Sequence, residues 1–259
     1  MPADDLALLI GAAQEAGKIA LGYWKQSPKV WDKGGDEGPV TEADLAVNAM
    51  LEQRLRAARP GYGWLSEESA DTPARRDCEH VFMIDPIDGT RAFIAGETTF
   101  SHALAVARNG VVTAAAVCVP ARDLMFAATL DGAALCNGRP ISVSDRAGIM
   151  GANILTPKTN MAAEHWIGPV PDITRSFRAS VAYRLCLVAQ GAFDGMLSLR
   201  QAWEWDIAAG ALIAERAGAI VTDRTGAALR FNAEIPRSNG VLAAPPGLHA
   251  ELLARLSPG

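Results

Sequence analysis

The chain has 259 residues, of which 49% are hydrophobic and 20% charged, a composition that fits a folded protein with a large core and excludes a disordered polymer. A net charge of −5 removes the usual electrostatic basis for binding nucleic acid. The acidic start at Asp4 and Asp5 is the reverse of a signal peptide, and no apolar run reaches the ~20 residues that span a bilayer, so a cytoplasmic protein is expected. Cys78, Cys118, Cys136 and Cys186 stand apart with no C-x-x-C pair, which predicts reduced thiols, and His80 near Cys78 lacks the further ligands of a zinc site.

In chain order, Leu6, Leu9, Ile10, Ala13, Ala16, Ile19 and Ala20 recur at helical spacing and predict a helix from Asp4 to about Gln26, capped by Asp4 or Asp5. Residues 30–39 hold three glycines and Pro39 among charges, which predicts a mobile loop or hairpin tip. Lys33 in that loop could swing over a bound phosphate as a point charge. Thr41 followed by Asp44 reads as a capping box opening a helix through Val47, Leu51 and Leu55 to about Ala58. On that pattern alone Asp44 is a cap. After the break at Pro60-Gly61, Trp64-Leu65 reads as a strand end. Glu67 directly after it could face a cation, although a Glu-Glu pair is most often solvated.

The apolar run Val81–Ile84 predicts a short buried strand that stops at Asp85-Pro86-Ile87-Asp88-Gly89-Thr90. Proline pushes the residue before it out of helical space, so Asp85 is expected at the strand end with a turn following. Such a turn could aim Asp85, Asp88 and the Ile87 carbonyl at one hard divalent cation. A plain surface turn has the same letters. An EF-hand does not fit, because Thr90 stands where glycine is required and Ile87 where Asp or Asn is needed. The segment from Thr90 can open a helix whose free N–H groups face an anion.

Apolar runs at Ser101–Ala107, Val111–Pro120, Leu124–Thr129 and Ala133–Cys136, separated or followed by Asn109-Gly110, Asp131-Gly132 and Asn137-Gly138, predict an antiparallel meander. A boundary near Asp145–Gly151 is expected between an N-terminal half, 1–147, and a C-terminal half, 148–259. The second half alternates: a strand at Ala152–Leu155, a helix at Ser180–Gln190, a strand at Phe193–Leu199, a helix at Ile207–Arg216 and a strand at Ala219–Thr222. Asp206 sits where the N-cap of the last helix belongs, before small residues that allow close packing.

Taken together, Val40-Thr41-x-x-Asp44, Leu65-Ser66-Glu67-Glu68-Ser69, Asp85-Pro86-Ile87-Asp88-Gly89-Thr90 and Trp205-Asp206-x-Ala208-x-Gly210 resemble, in order and spacing, the inositol monophosphatase superfamily of Mg²⁺-dependent, Li⁺-inhibited phosphomonoesterases. The resemblance implies an α+β fold of the layered α-β-α-β-α sandwich type and two to three Mg²⁺ ions, with Li⁺ and Ca²⁺ as inhibitors. It implies that Glu67, Asp85 and the Ile87 carbonyl hold one metal, and that Asp85, Asp88 and Asp206 hold a second. Glu67 would also help a third. Asp44 and Thr90 would orient and deprotonate the attacking water, the Gly89 and Thr90 amides would bind phosphate, and Lys33 matches a lysine on the family's mobile loop. Homodimers are usual in the family.

The alcohol is left open. Inositol-specific members carry an acid before the Trp-Asp motif, and here only Glu204 is acidic there. The segment Ser180–Ala189, the Glu-Trp-Asp form and Thr90-Arg91-x-Phe93-Ile94 look closer to bacterial 3′(2′),5′-bisphosphate nucleotidases. Arg184 and Arg200 would then meet the second phosphate of 3′-phosphoadenosine 5′-phosphate, although an ordinary surface or interface charge is as good an account of each. Inositol 1-phosphate, histidinol phosphate and fructose 1,6-bisphosphate are the alternatives. A non-catalytic metal-binding protein on the same fold is the alternative from another class.

Overall fold

The computed structural model describes residues 2–34 and 38–257. Helix α1 (Pro2–Tyr23) starts earlier than the spacing predicts, because proline fits a first helical turn whose N–H groups are unpaired in any case. Asp5 therefore does not cap the helix. It is buried inside the first turn and accepts from Arg59 Nε at 2.9 Å and the Tyr62 hydroxyl at 3.1 Å. Strands β1 (Val30–Asp32) and β2 (Pro39–Thr41) pair antiparallel, as a hairpin requires. Gly35, Asp36 and Glu37 of the expected mobile tip lie outside the described residues.

Thr41 caps α2 (Glu42–Ala58), and the reciprocal bond from its own N–H to Asp44 completes the capping box. Helices α1 and α2 lie on one face of a seven-stranded sheet ordered β3-β4-β5-β6-β7-β8-β9. Its strands are β3 (Gly63–Ser66), β4 (His80–Asp88), β5 (Ser101–Arg108), β6 (Val111–Val119), β7 (Leu124–Thr129), β8 (Leu135–Cys136) and β9 (Arg139–Pro140). The meander from β5 onward is antiparallel, while β3 runs parallel to β4. At Asn109-Gly110 and Asn137-Gly138 both residues have positive φ, the conformation that a tight two-residue hairpin demands. Leu9, Ala13 and Ala16 from α1 meet Val47 and Leu51 from α2 over Phe82, Ile84, Leu104 and Ala116.

Asp85 does not end its strand. β4 continues to Asp88, and its register against β5 shifts between Asp85 and Asp88. Pro86 has no N–H to give to the ladder, so the chain bulges and resumes instead of turning. The turn comes at Gly89, with φ of 93°, ahead of α3 (Thr90–Ile94).

The opposite face of the sheet is covered by α4 (Val181–Ala189) and α5 (Glu204–Arg216). A Cβ on Gly210 would stand 2.7 Å from the Leu185 Cβ, so glycine lets the two helices touch. Beyond them lies a five-stranded sheet ordered β11-β10-β12-β16-β14. It contains β10 (Asn153–Leu155), β11 (Thr174–Ser176), β12 (Gly195–Ser198), β14 (Ile220–Thr222) and β16 (Val241–Ala244), and a short pair, β13 (Ala202–Trp203) and β15 (Arg237–Ser238), lies apart. The sheet is mixed: β10 is parallel to β11 and β12, whereas β16 is antiparallel to both of its neighbours. Helix α6 (Pro246–Arg255) closes the far side with Leu248 and Leu252 against Ile154, Leu197 and Leu242. The result is an α+β protein in five layers, α-β-α-β-α. Among the described residues, no helix is long and apolar enough to cross a membrane.

Candidate active site

Asp44, Glu67, Asp85, Asp88 and Asp206 come from four elements and meet around the bulge of β4. One oxygen each from Glu67, Asp85 and Asp206 lie within 4.8 Å of one another. β4 delivers Asp85 through the bulge, the turn after β3 delivers Glu67, and the first turn of α5 delivers Asp206. Asp206 is not the N-cap of α5. The helix begins at Glu204 because the Glu204 carboxylate accepts the backbone N–H groups of Asn232 at 2.6 Å and Ala233 at 3.1 Å, which ties the helix start to that loop. Glu204 is therefore fully engaged and buried, and it presents no carboxylate to a sugar hydroxyl.

Asp88 is not in that three-residue group, and its Oδ2 accepts from Ser180 Oγ and from the Ala182 N–H, both at 2.7 Å. The carboxylate thus sits on the N-terminal end of α4, where free N–H groups favour a negative charge. Gly89 lies under the same junction: a Cβ there would be 3.2 Å from the Ser180 nitrogen. Asp44 has two duties. Its Oδ2 completes the capping box of α2, and its Oδ1 accepts the Thr90 hydroxyl at 3.2 Å. Thr90 Oγ1 is also 3.1 Å from the Ile87 carbonyl, so one hydroxyl joins the bulge to α2. Lys33 is paired with carboxylates of the site itself. Its Nζ is 2.8 Å from carboxylate oxygens of both Glu67 and Glu68. Burial opposes the charge on Lys33, but the two glutamates outweigh it and raise its pKa.

Burial is the first cause of the upward shifts in this cluster. It pushes Asp44 up to about 6 and holds Asp85 well above the carboxylate range, with Glu67, Asp88 and Asp206 adding repulsion. Burial also raises Glu67 against the pull of Lys33, and raises Asp206, where Asp88 and Glu67 add to it. Asp85 Oδ1 is buried and has no hydrogen-bond partner among the described residues. A buried carboxylate oxygen without a partner, in a group of hard oxygen donors of like charge, fits a divalent cation.

A residue that sequence reasoning missed lies beneath the bulge. His102 on β5 is fully buried, and its Nδ1 is hydrogen-bonded to the Pro86 carbonyl. Burial pulls its pKa down to about 4, so it is neutral and, as a donor, can pin that carbonyl. The signal was available: Ser101 and His102 are polar residues in an otherwise apolar strand beside the acidic motif. Ser101 Oγ in turn lies 2.9 Å from Ser180 Oγ, which ties β5 to the start of α4. Arg184 is buried near Asp88 and Asp206, whereas Arg200 is exposed and close enough to act on both Arg184 and Asp206 electrostatically.

Known proteins share the family and the fold. Residues 2–258 match the model of the inositol monophosphatase family. An inositol-1-monophosphatase from Rhizobium meliloti (strain 1021) is 32% identical over 82% of this chain and 83% of that protein. A histidinol-phosphatase from Mycobacterium tuberculosis (strain ATCC 25618 / H37Rv) is 30% identical over the whole of both chains. The crystal structure of the extragenic suppressor protein suhB from Bartonella henselae superposes with a TM-score of 0.81 at 28% identity, covering 97% of each chain. The IMPase of Thermotoga maritima gives 0.83 at 27% identity, covering 97% of this chain and 96% of its own. The chain belongs to the inositol monophosphatase family, whose members are metal-dependent phosphomonoesterases.

Proposed function

We propose that this member of the inositol monophosphatase family is a Mg²⁺-dependent, Li⁺-sensitive hydrolase of phosphate monoesters in the cytoplasm. The observation that carries the reading is the convergence of Glu67, Asp85 and Asp206 beside the Asp44–Thr90 pair. Glu67, Asp85 and the Ile87 carbonyl would hold one cation, and Asp85, Asp88 and Asp206 a second. When bound, such ions neutralise the phosphate dianion, make the attacking water more acidic and stabilise the leaving alkoxide. Ca²⁺, larger and less exacting in geometry, would occupy the same oxygens as an inhibitor. All four cysteines are free, which supports a reducing compartment.

The chain's own groups would then do three things. Thr90 donates its hydroxyl proton to Asp44, which leaves a lone pair to accept from a water and orient it. As the water gives a proton to Thr90 Oγ1, Asp44, with its pKa raised to about 6 by burial, would take the Thr90 proton in turn; a base near the working pH is well matched to that task. The Gly89 and Thr90 amides, at the turn with φ of 93°, would receive phosphate oxygens, and Lys33 would leave Glu67 to join them.

The Thr90–Asp44 bond also favours catalysis over a non-catalytic metal-binding role, since metal binding alone does not need it. The test is release of inorganic phosphate from a simple monoester with and without Mg²⁺. Mg²⁺-dependent release that is lost in Asp88→Asn supports the reading, and full activity in that variant overturns the two-metal assignment. Among substrates, 3′-phosphoadenosine 5′-phosphate is the ester we favour, while inositol 1-phosphate and histidinol phosphate are suggested by the names of the relatives.

A further inference from the structure

We infer that Arg75 is a positioning residue for the candidate metal centre: through the loop at Asn232-Ala233 and the Glu204 carboxylate it sets Asp206 of the second half against Glu67 and Asp85 of the first. This inference rests on the two-metal reading above and adds to it a residue that is not itself a ligand.

Arg75 lies in a short 3₁₀ helix, Pro73–Asp77, between the turn that delivers Glu67 and the strand that delivers Asp85. That helix rests directly on β3, where a Cβ on Gly63 would stand 3.0 Å from the Arg75 Cα. Arg75 is only 2% exposed, and its guanidinium is spent in two directions. Nε and Nη2 meet the two Asp71 carboxylate oxygens at 2.7 and 2.9 Å, a bidentate pair that fixes the plane of the fork. Nη1 then donates to the Asn232 side-chain oxygen at 2.5 Å and Nη2 to the Ala233 carbonyl at 2.8 Å, across 157 and 158 positions of sequence. Glu204 grips the same two residues by their N–H groups. Asn232 and Ala233 therefore sit between a guanidinium that takes their oxygens and a carboxylate that takes their amides.

The loop is joined to α5 further along as well. The Glu204 N–H donates to the Pro236 carbonyl at 2.9 Å, and Trp203 pairs with Arg237 between β13 and β15. Loop and helix start thus form one unit, and Asp206 stands in the first turn of that helix. Two further bonds from the first half reach the loop: the Phe231 N–H to the Gly110 carbonyl at 3.1 Å, and an exposed ion pair of Arg76 with Glu234 at 3.4 Å, which water screens. Neither touches the two residues that Glu204 holds. Stability alone is a weak account of Arg75, since a buried ion pair is often matched or bettered by apolar side chains of the same volume. What the fork adds is direction. Mg²⁺ demands near-ideal geometry, so a small displacement of the Asp206 carboxylate from Glu67 and Asp85 would cost affinity. A lysine, a point charge without the planar fork, could not hold Asp71 and the loop in one fixed arrangement.

The test is calorimetric titration of the full-length protein with Mn²⁺, well below the unfolding midpoint of every variant. Arg75→Lys keeps the charge and loses the fork. Asn232→Gly suits the φ of 66° and loses the accepting oxygen, and it decides the matter if Arg75→Lys fails to fold. Both should weaken Mn²⁺ binding by about 10-fold, the lower end of what partners behind a metal ligand control. Glu204→Gln should weaken it similarly, and its loss should not add to that of Arg75→Lys, because both act on one loop. Leu248→Ala, in the core beneath α6, should lower the midpoint and leave Mn²⁺ affinity unchanged. Wild-type affinity in Arg75→Lys and Asn232→Gly would overturn the inference, reduce Arg75 to a structural anchor and leave the two-metal reading standing. Additive losses in the Arg75→Lys, Glu204→Gln double variant would also overturn it, as would an equal loss in Leu248→Ala. No Mn²⁺ binding and no phosphate release by the wild type would overturn both readings.

Discussion

Thr90 Oγ1 lies 3.2 Å from Asp44 Oδ1, joining the first residue of α3 to the first turn of α2 across 46 positions of sequence. Asp44 therefore answers to two partners, its own helix cap and the candidate nucleophile's orienting group. Asp44→Asn should keep the capping box, because the asparagine carbonyl oxygen can still accept the Thr41 N–H. It should lose the proton acceptor and cut kcat by about 10²- to 10⁴-fold, the usual range for general-base loss. Thr90→Ala should show a similar loss in kcat with little change in thermal midpoint. A Thr90→Ala enzyme with normal kcat would remove this pair from the reaction.

Asp85 holds a carboxylate whose Oδ1 has no partner among the described residues, and burial with four neighbouring acids raises its pKa strongly. Asp85→Asn should make the metal-free protein more stable, by about 2–4 °C in midpoint for each kcal/mol of repulsion relieved at this chain length. The same variant should lose the extra stability that Mg²⁺ gives the wild type. Thermal unfolding with and without Mg²⁺ checks both, and a destabilised variant would contradict the repulsion.

The pH dependence follows from the same shifts. Burial raises Asp44 to about 6 in the folded state from 3.8, so between these values the folded protein binds a proton that the unfolded chain does not. Stability without metal should therefore rise as pH falls from above 6 towards 4, by roughly 3 kcal/mol from Asp44 alone. Glu67, Asp85 and Asp206 shift in the same direction and add to it. Cations bind the charged carboxylates, so stabilisation by Mg²⁺ should be greatest above pH 6 and fade below it. A melting series from pH 4.5 to 8 reads both slopes.

Lys33 occupies Glu67 and Glu68 at 2.8 Å, so a cation at Glu67 must displace an ammonium. Lys33→Gln should lower the stability of the metal-free protein and tighten its apparent affinity for Mg²⁺ or Mn²⁺ several-fold. Titration calorimetry measures the second effect without turnover. Weaker metal binding in the variant would show that Lys33 does not compete.

Glu204 is the one acid next to the Trp-Asp motif, yet its oxygens go to the Asn232 and Ala233 amides. Glu204→Gln should cost about 1–3 kcal/mol of stability through those bonds. It should leave the order of preference among phosphate esters unchanged. A change in that order would place Glu204 in the alcohol site after all.

The parts of this site that could be read from sequence are those built on short range. The Thr41–Asp44 capping box spans three residues, and the Asn-Gly hairpins are single dipeptides, so local letters carry the geometry. Order and spacing of the acidic motifs did the rest. What stayed hidden depends on distant partners. Ser180 meets Asp88 across 92 positions, and no local pattern marks a serine as a carboxylate holder. The early start of α5 and the true role of Glu204 follow from a loop 28 and 29 residues further on. The bulge at Asp85 escaped because proline announces a break without saying whether the strand resumes. β16 escaped because four apolar residues before two prolines give little period to read.

The bond from Ser180 to Asp88 has a bearing on how the chain comes together during synthesis. Glu67, Asp85 and Asp88 leave the ribosome well before Ser180 and Asp206, so the nascent first half carries buried-to-be acids with neither their hydroxyl clamp nor their last companion. The acidic cluster can close only when α4 and α5 dock on the finished meander. Cation affinity then becomes a quality mark on the completed molecule: a chain cut short before residue 180 would keep the motif Asp85–Thr90 and still be unable to build the site around it.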